Sequence, residues 1–305
     1  MNSVASEAVL IGLDWGTSSL RAFLIGAVGD VLDEISTSQG IMHVKGRDFD
    51  AVFHGLIQNW HSAAPLPVIA SGMITSRNGW QETPYVSVPA GKDALANALV
   101  PFTTSKGIAV HFVTGMTANH NGAPDVMRGE ETQIIGAAAM GLGDGLYVLP
   151  GTHSKWLVVK NGGIEDYKTY MTGELFGAIK NHTILGTFME EGPFDKEGFV
   201  IGVNAGLSAG ADLLHTLFHV RTMPLFDKIT PEMTADYLSG MLIGAEIASG
   251  TAGGGDQPVT LVGRGDLTDR YEIALSIAGR ESRRAPENIC ARGHFEIARS
   301  AGLLS

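Results

Sequence analysis

The sequence Ile11-Gly-Leu-Asp-Trp-Gly-Thr-Ser-Ser-Leu-Arg21 contains a polar turn between two apolar runs. Apolar residues lead up to Asp14 and resume after the serines, which predicts two antiparallel strands joined by a tight turn. Gly16 lets the backbone approach a ligand closely, and the N–H and hydroxyl groups of Thr17 and Ser18 suit phosphate oxygens. The Asp14 carboxylate would suit a Mg²⁺ ion bound to such phosphates.

A second segment of the same kind, Pro150-Gly-Thr-His-Ser-Lys155, lies between the apolar runs Leu146–Leu149 and Trp156–Val159. One such hairpin is as readily a plain structural turn as a phosphate loop. Two of them, one in each half of the chain, resemble the paired phosphate hairpins of the actin-like ATPases. This likeness implies an α/β chain of two actin-like (ribonuclease H-like) domains, at 1–143 and 144–305, with a nucleotide cleft between them. The candidate phosphate-binding residues of the second hairpin are Gly151, Thr152, His153, Ser154 and Lys155.

The composition narrows the class of protein. The 305 residues are 44% hydrophobic and 17% charged with 40 glycines, which fits a folded chain long enough for two domains. The formal charge of −11 argues against a nucleic-acid partner, and no apolar run reaches the roughly 18 residues of a membrane helix. A single cysteine, Cys290, excludes an internal disulfide. Since residues 1–7 also lack the features of a secretion signal, we expect a cytoplasmic protein.

A polar segment follows the predicted strand 67–70, at the kind of strand end where α/β proteins bind ligands. Arg77 could hold a carboxylate through two parallel hydrogen bonds, and Trp80 could cover the apolar face of a sugar acid. The alternative is a surface loop with a docked tryptophan. The candidate acceptor-binding residues here, with one from the first hairpin, are Trp15, Ser71, Gly72, Met73, Arg77 and Trp80.

A second polar segment, 124–133, contains Arg128 and the adjacent carboxylates Glu130 and Glu131 before an apolar run. Helix capping alone could explain one carboxylate. In the actin-like architecture, however, this helix points its N-terminus at the phosphate being transferred, so either carboxylate could accept a proton from an attacking hydroxyl. Glu131 is preferred because it shares a helix face with Ile134. Arg128 is a second candidate for binding a substrate carboxylate.

Further polar residues in the second half of the chain are open to two interpretations. Gly263 and Gly265 follow a predicted buried strand and precede a helix, so they could receive the adenosine part of ATP or form a simple turn. Thr172 is expected to cap a helix, in which Glu174 could face the cleft. His294 is expected to be a core or surface histidine rather than a ligand.

Four motifs together make the likeness more specific. They are Gly72-Met-Ile-Thr-Ser-Arg-Asn-Gly-Trp80, Met127-Arg-Gly-Glu-Glu131, Pro150-Gly-Thr-His-Ser-Lys-Trp156 and Met171-Thr-Gly-Glu-Leu-Phe176. This set resembles the 2-dehydro-3-deoxygalactonokinase family over most of the chain. The resemblance implies phosphorylation of 2-dehydro-3-deoxy-D-galactonate on its 6-hydroxyl with ATP and Mg²⁺, in galactonate catabolism. A homodimer is expected by analogy with the fold.

Three rival functions share the same fold. An exopolyphosphatase-like phosphohydrolase has a similar Gly-Glu-Glu pattern but a glycine-rich second phosphate loop, unlike Leu149–His153 here. A kinase of a related sugar acid is an alternative because this chain has Met73-Ile-Thr-Ser76 where the family usually has Met-Val-Gly-Ser. A sugar-sensing regulator usually adds a DNA-binding helix-turn-helix, and only about ten residues precede the first hairpin.

Overall fold

The computed structural model describes residues 7–63, 65–253, 255, 257–263 and 265–304. Residues 1–6 lie outside the described residues. They make up most of residues 1–7, the segment in which the sequence shows no features of a secretion signal. The chain divides into two compact units. The first is drawn from 1–144, 159–166 and 286–305, and the second from 145–158 and 167–285.

Strands in the described residues occur in both units. They are β1 (Ala8–Trp15), β2 (Leu20–Gly26), β3 (Val31–Thr37), β4 (Val68–Ser71), β5 (Tyr85–Ser87), β6 (Val100–Thr103), β7 (Ala109–Phe112), β8 (Gly115–His120), β9 (Ala123–Met127), β10 (Gly145–Leu149), β11 (Ser154–Lys160), β12 (Gly163–Tyr170), β13 (Val259–Leu261) and β14 (Ser282–Arg284). The α-helices are α1 (Phe49–Ala63), α2 (Lys92–Asn97), α3 (Glu130–Ala139), α4 (Thr172–His182), α5 (Lys196–Ala209), α6 (Leu213–Thr216), α7 (His219–Leu225), α8 (Thr234–Gly250), α9 (Gly265–Ile277) and α10 (Ile289–Ser300).

The two main sheets share one strand order. In the first unit the order is β3-β2-β1-β4-β7-β6, and in the second it is β12-β11-β10-β13-β14. Each contains three strands that are consecutive in the chain, followed by two strands that run parallel to the earliest of the three. The first sheet has a sixth strand, β6, which is antiparallel to β7. The predicted α/β class with two related actin-like units is therefore confirmed. A small sheet, β5-β8-β9, was not predicted from the sequence.

The helix after β3 forms where its sequence predicts it. The sequence predicts Asp48 as the N-cap of α1, and its Oδ1 accepts the N–H of Ala51 at 3.0 Å. Phe49, Phe53 and Ile57 recur at helical spacing and are buried in the core of the first unit. The apolar face of α1 therefore packs against the first sheet and forms part of the core of the first unit.

The end of the chain belongs to the first unit, although the sequence division placed residues 286–305 in the second domain. Helix α10 packs closely on α3 through glycines. A Cβ atom at Gly136 would lie 1.8 Å from the Ile289 carbonyl oxygen, and one at Gly293 would lie 1.9 Å from that of Thr132. A single domain boundary in the sequence cannot assign residues 286–305 to the first unit, because this assignment depends on the packing of α10 against α3.

The helical region of the second unit is more broken than expected. The sequence, rich in alanine and glycine, predicts one helix over 194–220, but α5 ends at Ala209 and Gly210 has a φ of 50°. Thr172 does not cap α4, because its hydroxyl donates to Glu246 instead.

Among the described residues, no helix has the length and apolar character needed to cross a membrane.

Candidate active site

Backbone hydrogen bonds fix the turn of the first hairpin, in the first unit. Gly16 N–H donates to the Ser19 carbonyl at 2.9 Å, and the Gly16 and Thr17 carbonyls accept from Ile41 and Met42 at 3.0 and 3.1 Å. The side chains of Thr17 and Ser18 are exposed. The turn therefore presents these hydroxyls to solvent on a fixed backbone, as a phosphate loop requires.

Gly40 is a part of this turn that the sequence reading missed. A Cβ atom there would lie 2.3 Å from the Ser18 carbonyl carbon and 2.4 Å from its nitrogen. Only glycine lets the segment after β3 lie against the turn. No periodicity or motif marks this position, so its role could be found only from the structure.

Asp14, the candidate metal ligand, is the second-last residue of β1 and pairs with Arg21. The Arg21 Nη2 to Asp14 Oδ2 distance is 2.5 Å. No group of three or more His, Cys, Asp or Glu side chains that could hold a metal occurs in the described part of the chain. A single carboxylate fits Mg²⁺ that is held mainly by nucleotide phosphates, because this ion keeps water and phosphate ligands.

Three chain segments meet closely beside Asp14 in the first unit. Asp14 is in parallel register with Ser71, the last residue of β4. Gly72 has a φ of 93° and a Cβ there would lie 2.8 Å from the Trp15 carbonyl oxygen; one at Gly129 would lie 3.1 Å from the Gly72 Cα. The ends of β1 and β4 and the start of α3 therefore converge in the first unit.

The two carboxylates that begin α3 differ in environment. Both oxygens of Glu131 accept the Gly129 N–H, at 2.9 and 2.8 Å, and the side chain is fully buried. Burial, and secondly the charge of Glu130, raise the pKa of Glu131 to about 8. Glu130 is half-buried, and its carboxylate accepts the Arg128 N–H at 2.9 Å. Glu131 is therefore the more buried of the two carboxyls, and its pKa lies well above the ordinary value of glutamate.

Ser71 was expected to bind substrate, but its side chain lies in the core. Its hydroxyl is fully buried, 2.9 Å from Nε2 of His294 on α10. His294 is itself fully buried, which lowers its pKa to about 3 and keeps it neutral. Of the two alternatives that the sequence left open, core or surface, His294 is therefore a core histidine, and Cys290 is likewise buried.

The candidate substrate arginines are placed very differently. Arg128 donates to the carbonyl and hydroxyl oxygens of Thr75 and Thr83 over 2.5 to 3.0 Å, and it stacks on Tyr85. Its guanidinium therefore holds the 72–84 loop together rather than facing a ligand. Arg77 is 86% exposed at its side chain, and its Nε lies 3.3 Å from Glu82. Of the two, Arg77 is the one that solvent and ligand can reach.

The candidate aromatic residues belong to the core. Trp80 makes ring contacts with Trp15, Phe53, Phe102 and Phe112 at centroid distances of 5.0 to 6.3 Å. Trp15 is fully buried and donates from Nε1 to the Gln39 carbonyl. The structure therefore favours the docked-tryptophan alternative, while Met73 beside them is half-buried.

The second hairpin turn divides into an exposed tip and a buried base. Thr152 and His153 are exposed, whereas Ser154 and Lys155 are buried. The Lys155 ammonium donates to Thr169 Oγ1 at 2.8 Å. His153 Nε2 lies 2.5 Å from a Glu174 carboxylate oxygen. The Glu174 side chain therefore contacts the exposed tip of the turn.

A cavity of about 310 Å³ lies beside this turn in the second unit. Its lining includes Gly151 of the turn, Thr172 and Gly173 of α4, and Asp266 and Tyr271 of α9. Gly263 and Gly265 adopt φ values of 152° and 73° where β13 leads into α9. Of the two predicted adenosine-binding glycines, Gly263 therefore lies before α9 and Gly265 is its first residue, and α9 lines the cavity.

Comparisons with known proteins show the family to which the chain is similar. A family model described as 2-keto-3-deoxy-galactonokinase matches residues 14–297. The chain is 36% identical over 271 residues to the 2-dehydro-3-deoxygalactonokinase of Escherichia coli (strain K12), covering 88% of this chain and 90% of that protein. A crystal structure of a candidate 2-dehydro-3-deoxygalactonokinase from Sinorhizobium meliloti is 34% identical with a TM-score of 0.86, covering 96% of this chain and 98% of that one.

A more distant solved structure shares the fold. The activator of the 2-hydroxyisocaproyl-CoA dehydratase from Clostridium difficile, with bound ADPNP, is 12% identical with a TM-score of 0.51 and covers 96% of each chain. That likeness extends to the fold alone, whereas the family model and the relatives above match most of the sequence. The chain therefore belongs to the 2-keto-3-deoxy-galactonokinase family of carbohydrate kinases.

Proposed function

We propose that this protein transfers the γ-phosphoryl group of ATP to the 6-hydroxyl of 2-dehydro-3-deoxy-D-galactonate, in galactonate catabolism. The name of the Escherichia coli relative supports the substrate. The observation that carries the chemistry is Glu131, a buried carboxyl with a pKa raised to about 8 at the convergence of β1, β4 and α3. A group with a pKa near the working pH is the best general base.

The other residues proposed for the active site bind the phosphates, the metal ion and the acceptor proton. The exposed hydroxyls of Thr17, Ser18 and Thr152 bind phosphate oxygens, together with the backbone of Gly16 and Gly151. Asp14 would hold Mg²⁺, which when bound neutralises charge on the phosphates. Glu131 takes the proton of the attacking hydroxyl, and the more exposed Glu130 is the alternative base.

The cavity beside the second turn is proposed to receive adenosine. It is lined by apolar side chains, among them Phe176 and Leu242, together with a few polar groups. Sites for small ligands commonly combine these two features. His153, paired with Glu174, would then lie on the phosphate side of the nucleotide.

A coupled assay of ADP formation tests the substrate. With Mg²⁺ and ATP, we expect rapid ADP formation with 2-dehydro-3-deoxygalactonate, and much slower formation with its C4 epimer or with no acceptor. ADP and free phosphate released without any sugar acid would instead indicate a phosphohydrolase. Faster turnover of another sugar acid would reassign the substrate.

Asp14→Asn should lower kcat by about 10²-fold or more and raise the Mg²⁺ concentration needed for half-maximal activity. Charge stabilisation by a bound metal is worth several kcal/mol, and each 1.36 kcal/mol is a factor of ten. Initial rates over a Mg²⁺ titration measure both effects. Glu34→Gln, which changes an exposed carboxylate on β3, is the control and should leave both values unchanged. An Mg²⁺ dependence of Asp14→Asn equal to that of the wild type would remove Asp14 from the metal site.

Arg77→Ala should raise KM for the sugar acid by about 10- to 100-fold, because hydrogen bonds to a charged group are worth about 1.5–3 kcal/mol. KM for ATP should stay within about twofold if Arg77 binds only the acceptor. Arg284→Ala removes a half-exposed arginine of the second unit that is paired with Asp269, and serves as the control. An unchanged KM for the acid would exclude Arg77 from the acceptor site.

A further inference from the structure

A buried carboxylate that the proposed chemistry does not use lies in the second unit. Glu246 is 3% exposed and stands in the otherwise apolar run Met241–Ile247 of α8. Its oxygens accept from Trp156 Nε1 at 2.7 Å, from the Tyr271 hydroxyl at 2.7 Å and from the Thr172 hydroxyl. Each of these donors is neutral, so no cation among them favours the ionised form, and burial raises the pKa of Glu246.

The three donors come from the three segments that surround the second turn. Trp156 lies on β11, two residues beyond Ser154 and on the same face of the strand. Thr172 is the first residue of α4, and Tyr271 is on α9. Thr172 and Tyr271 also line the cavity proposed for adenosine. One carboxylate therefore fixes the strand after the turn and two walls of the cavity.

Contacts around this network tie it to the turn itself. The Ser154 hydroxyl lies 2.9 Å from that of Tyr271, which extends the network from Glu246 to the base of the turn. The Glu174 N–H donates to the Thr152 carbonyl at 3.0 Å. A Cβ at Gly173 would lie 2.6 Å from the Gly151 carbonyl oxygen. Displacing the start of α4 would thus displace the backbone that is proposed to bind phosphate.

A carboxylate is a costly way to stabilise this core. Burying a charge without a counter-ion is unfavourable, and replacing buried ionic groups with well-packed apolar ones is often neutral or stabilising. What a carboxylate adds is the capacity to accept several hydrogen bonds at once in fixed directions. The geometry is therefore better explained by alignment of three segments than by stability alone.

We propose that Glu246 is a positioning residue that aligns the Thr152 turn and the adenosine cavity for nucleotide binding. This inference rests on the proposed function, since it assigns the nucleotide to these residues. Glu246 does not contact the reacting atoms. It acts through Trp156, Thr172 and Tyr271, so its loss should affect nucleotide binding and leave acceptor binding intact.

The test compares two buried glutamates in the full-length protein. Glu246→Gln keeps the shape but replaces one acceptor oxygen with a donor amide, which then faces an N–H or hydroxyl donor. We expect KM for ATP and Kd for ADP, measured by calorimetry, to rise about tenfold, as the loss of one hydrogen bond would give. KM for the sugar acid should stay within about twofold. Glu296→Gln, a buried glutamate of α10 paired with arginines, is the control and should leave nucleotide affinity unchanged.

Tyr271→Phe gives a second test that does not depend on the stability of the first variant. It removes one donor and keeps the ring, so we expect a smaller rise in Kd for ADP. In the double variant the two effects should be less than additive, because both act on one hydrogen bond. Unchanged Kd in both single variants, or equal rises in KM for ATP and for the acid, would overturn the role of Glu246. Wild-type protein that binds no ADP would instead overturn the proposed function.

Discussion

Glu131→Gln should lower kcat by about 10²- to 10⁴-fold, the usual contribution of a general base. The amide keeps the size of the side chain and one oxygen that can accept the Gly129 N–H, so the start of α3 should persist. KM for ATP should change little, because Glu131 is proposed to act on the acceptor hydroxyl. Initial rates at saturating ATP and sugar acid, with circular dichroism to verify folding, measure the effect.

The pH dependence separates a base from a structural carboxyl. The wild-type rate should rise with pH as Glu131 loses its proton, with an apparent pKa near 8. This rise should be absent from the residual rate of Glu131→Gln. Glu130→Gln is the matched control, since it makes the same change one residue earlier. A larger loss in Glu130→Gln than in Glu131→Gln would reassign the base to Glu130.

The same raised pKa makes a prediction about stability. Between the ordinary pKa of glutamate, 4.5, and about 8, the folded protein holds a proton at Glu131 that the unfolded chain has lost. The contribution of Glu131 to the free energy of unfolding is therefore fully present below the lower value and is lost as pH rises towards the higher one. Chemical denaturation at several pH values should show a decline of a few kcal/mol in the wild type, and less in Glu131→Gln.

The sequence was sufficient for features that depend on neighbours in the chain. A polar turn between two apolar runs predicts a hairpin locally, and both hairpins form where they were expected. The class of fold followed from the resemblance of the paired hairpins to those of the actin-like ATPases. The cap at Asp48 is equally local, since its partner Ala51 lies three residues away.

Roles that depend on distant partners could not be predicted in this way. Arg128 and Trp80 are residue types that bind substrates, yet here their partners are threonines and aromatic rings within the same unit. Glu246 gave a usable signal, a lone carboxylate in an apolar run, but not the identity of its donors. Ser71 likewise has a hydroxyl that could bind substrate. Its partner, His294, lies more than two hundred residues later, so the contact could not be predicted from the sequence.

Gly206→Ala should destabilise the protein, although alanine normally favours a helix over glycine by about 1 kcal/mol. Helices α5 and α8 contact each other through Gly202, Gly206, Gly240 and Gly244, spaced four residues apart on each helix. A Cβ at Gly206 would lie 2.0 Å from the Met241 carbonyl oxygen, and the other three would lie 2.1 to 2.4 Å from carbonyl oxygens of the facing helix. Backbone atoms cannot rotate away, so the helices must separate and lose packing.

We expect a loss of about 3 kcal/mol in the free energy of unfolding, at the upper end of ordinary overpacking. This corresponds to a fall in Tm of roughly 6–12 °C for a unit of this size. Gly177→Ala on α4 is the control, since nothing lies within 4 Å of its Cβ position, and it should stabilise by about 0.4–1 kcal/mol. Equal Tm values for the two variants would mean that α5 and α8 are not packed backbone to backbone. A loss confined to Gly206→Ala would show that close glycine contact, rather than helix propensity, sets the stability of this helix pair.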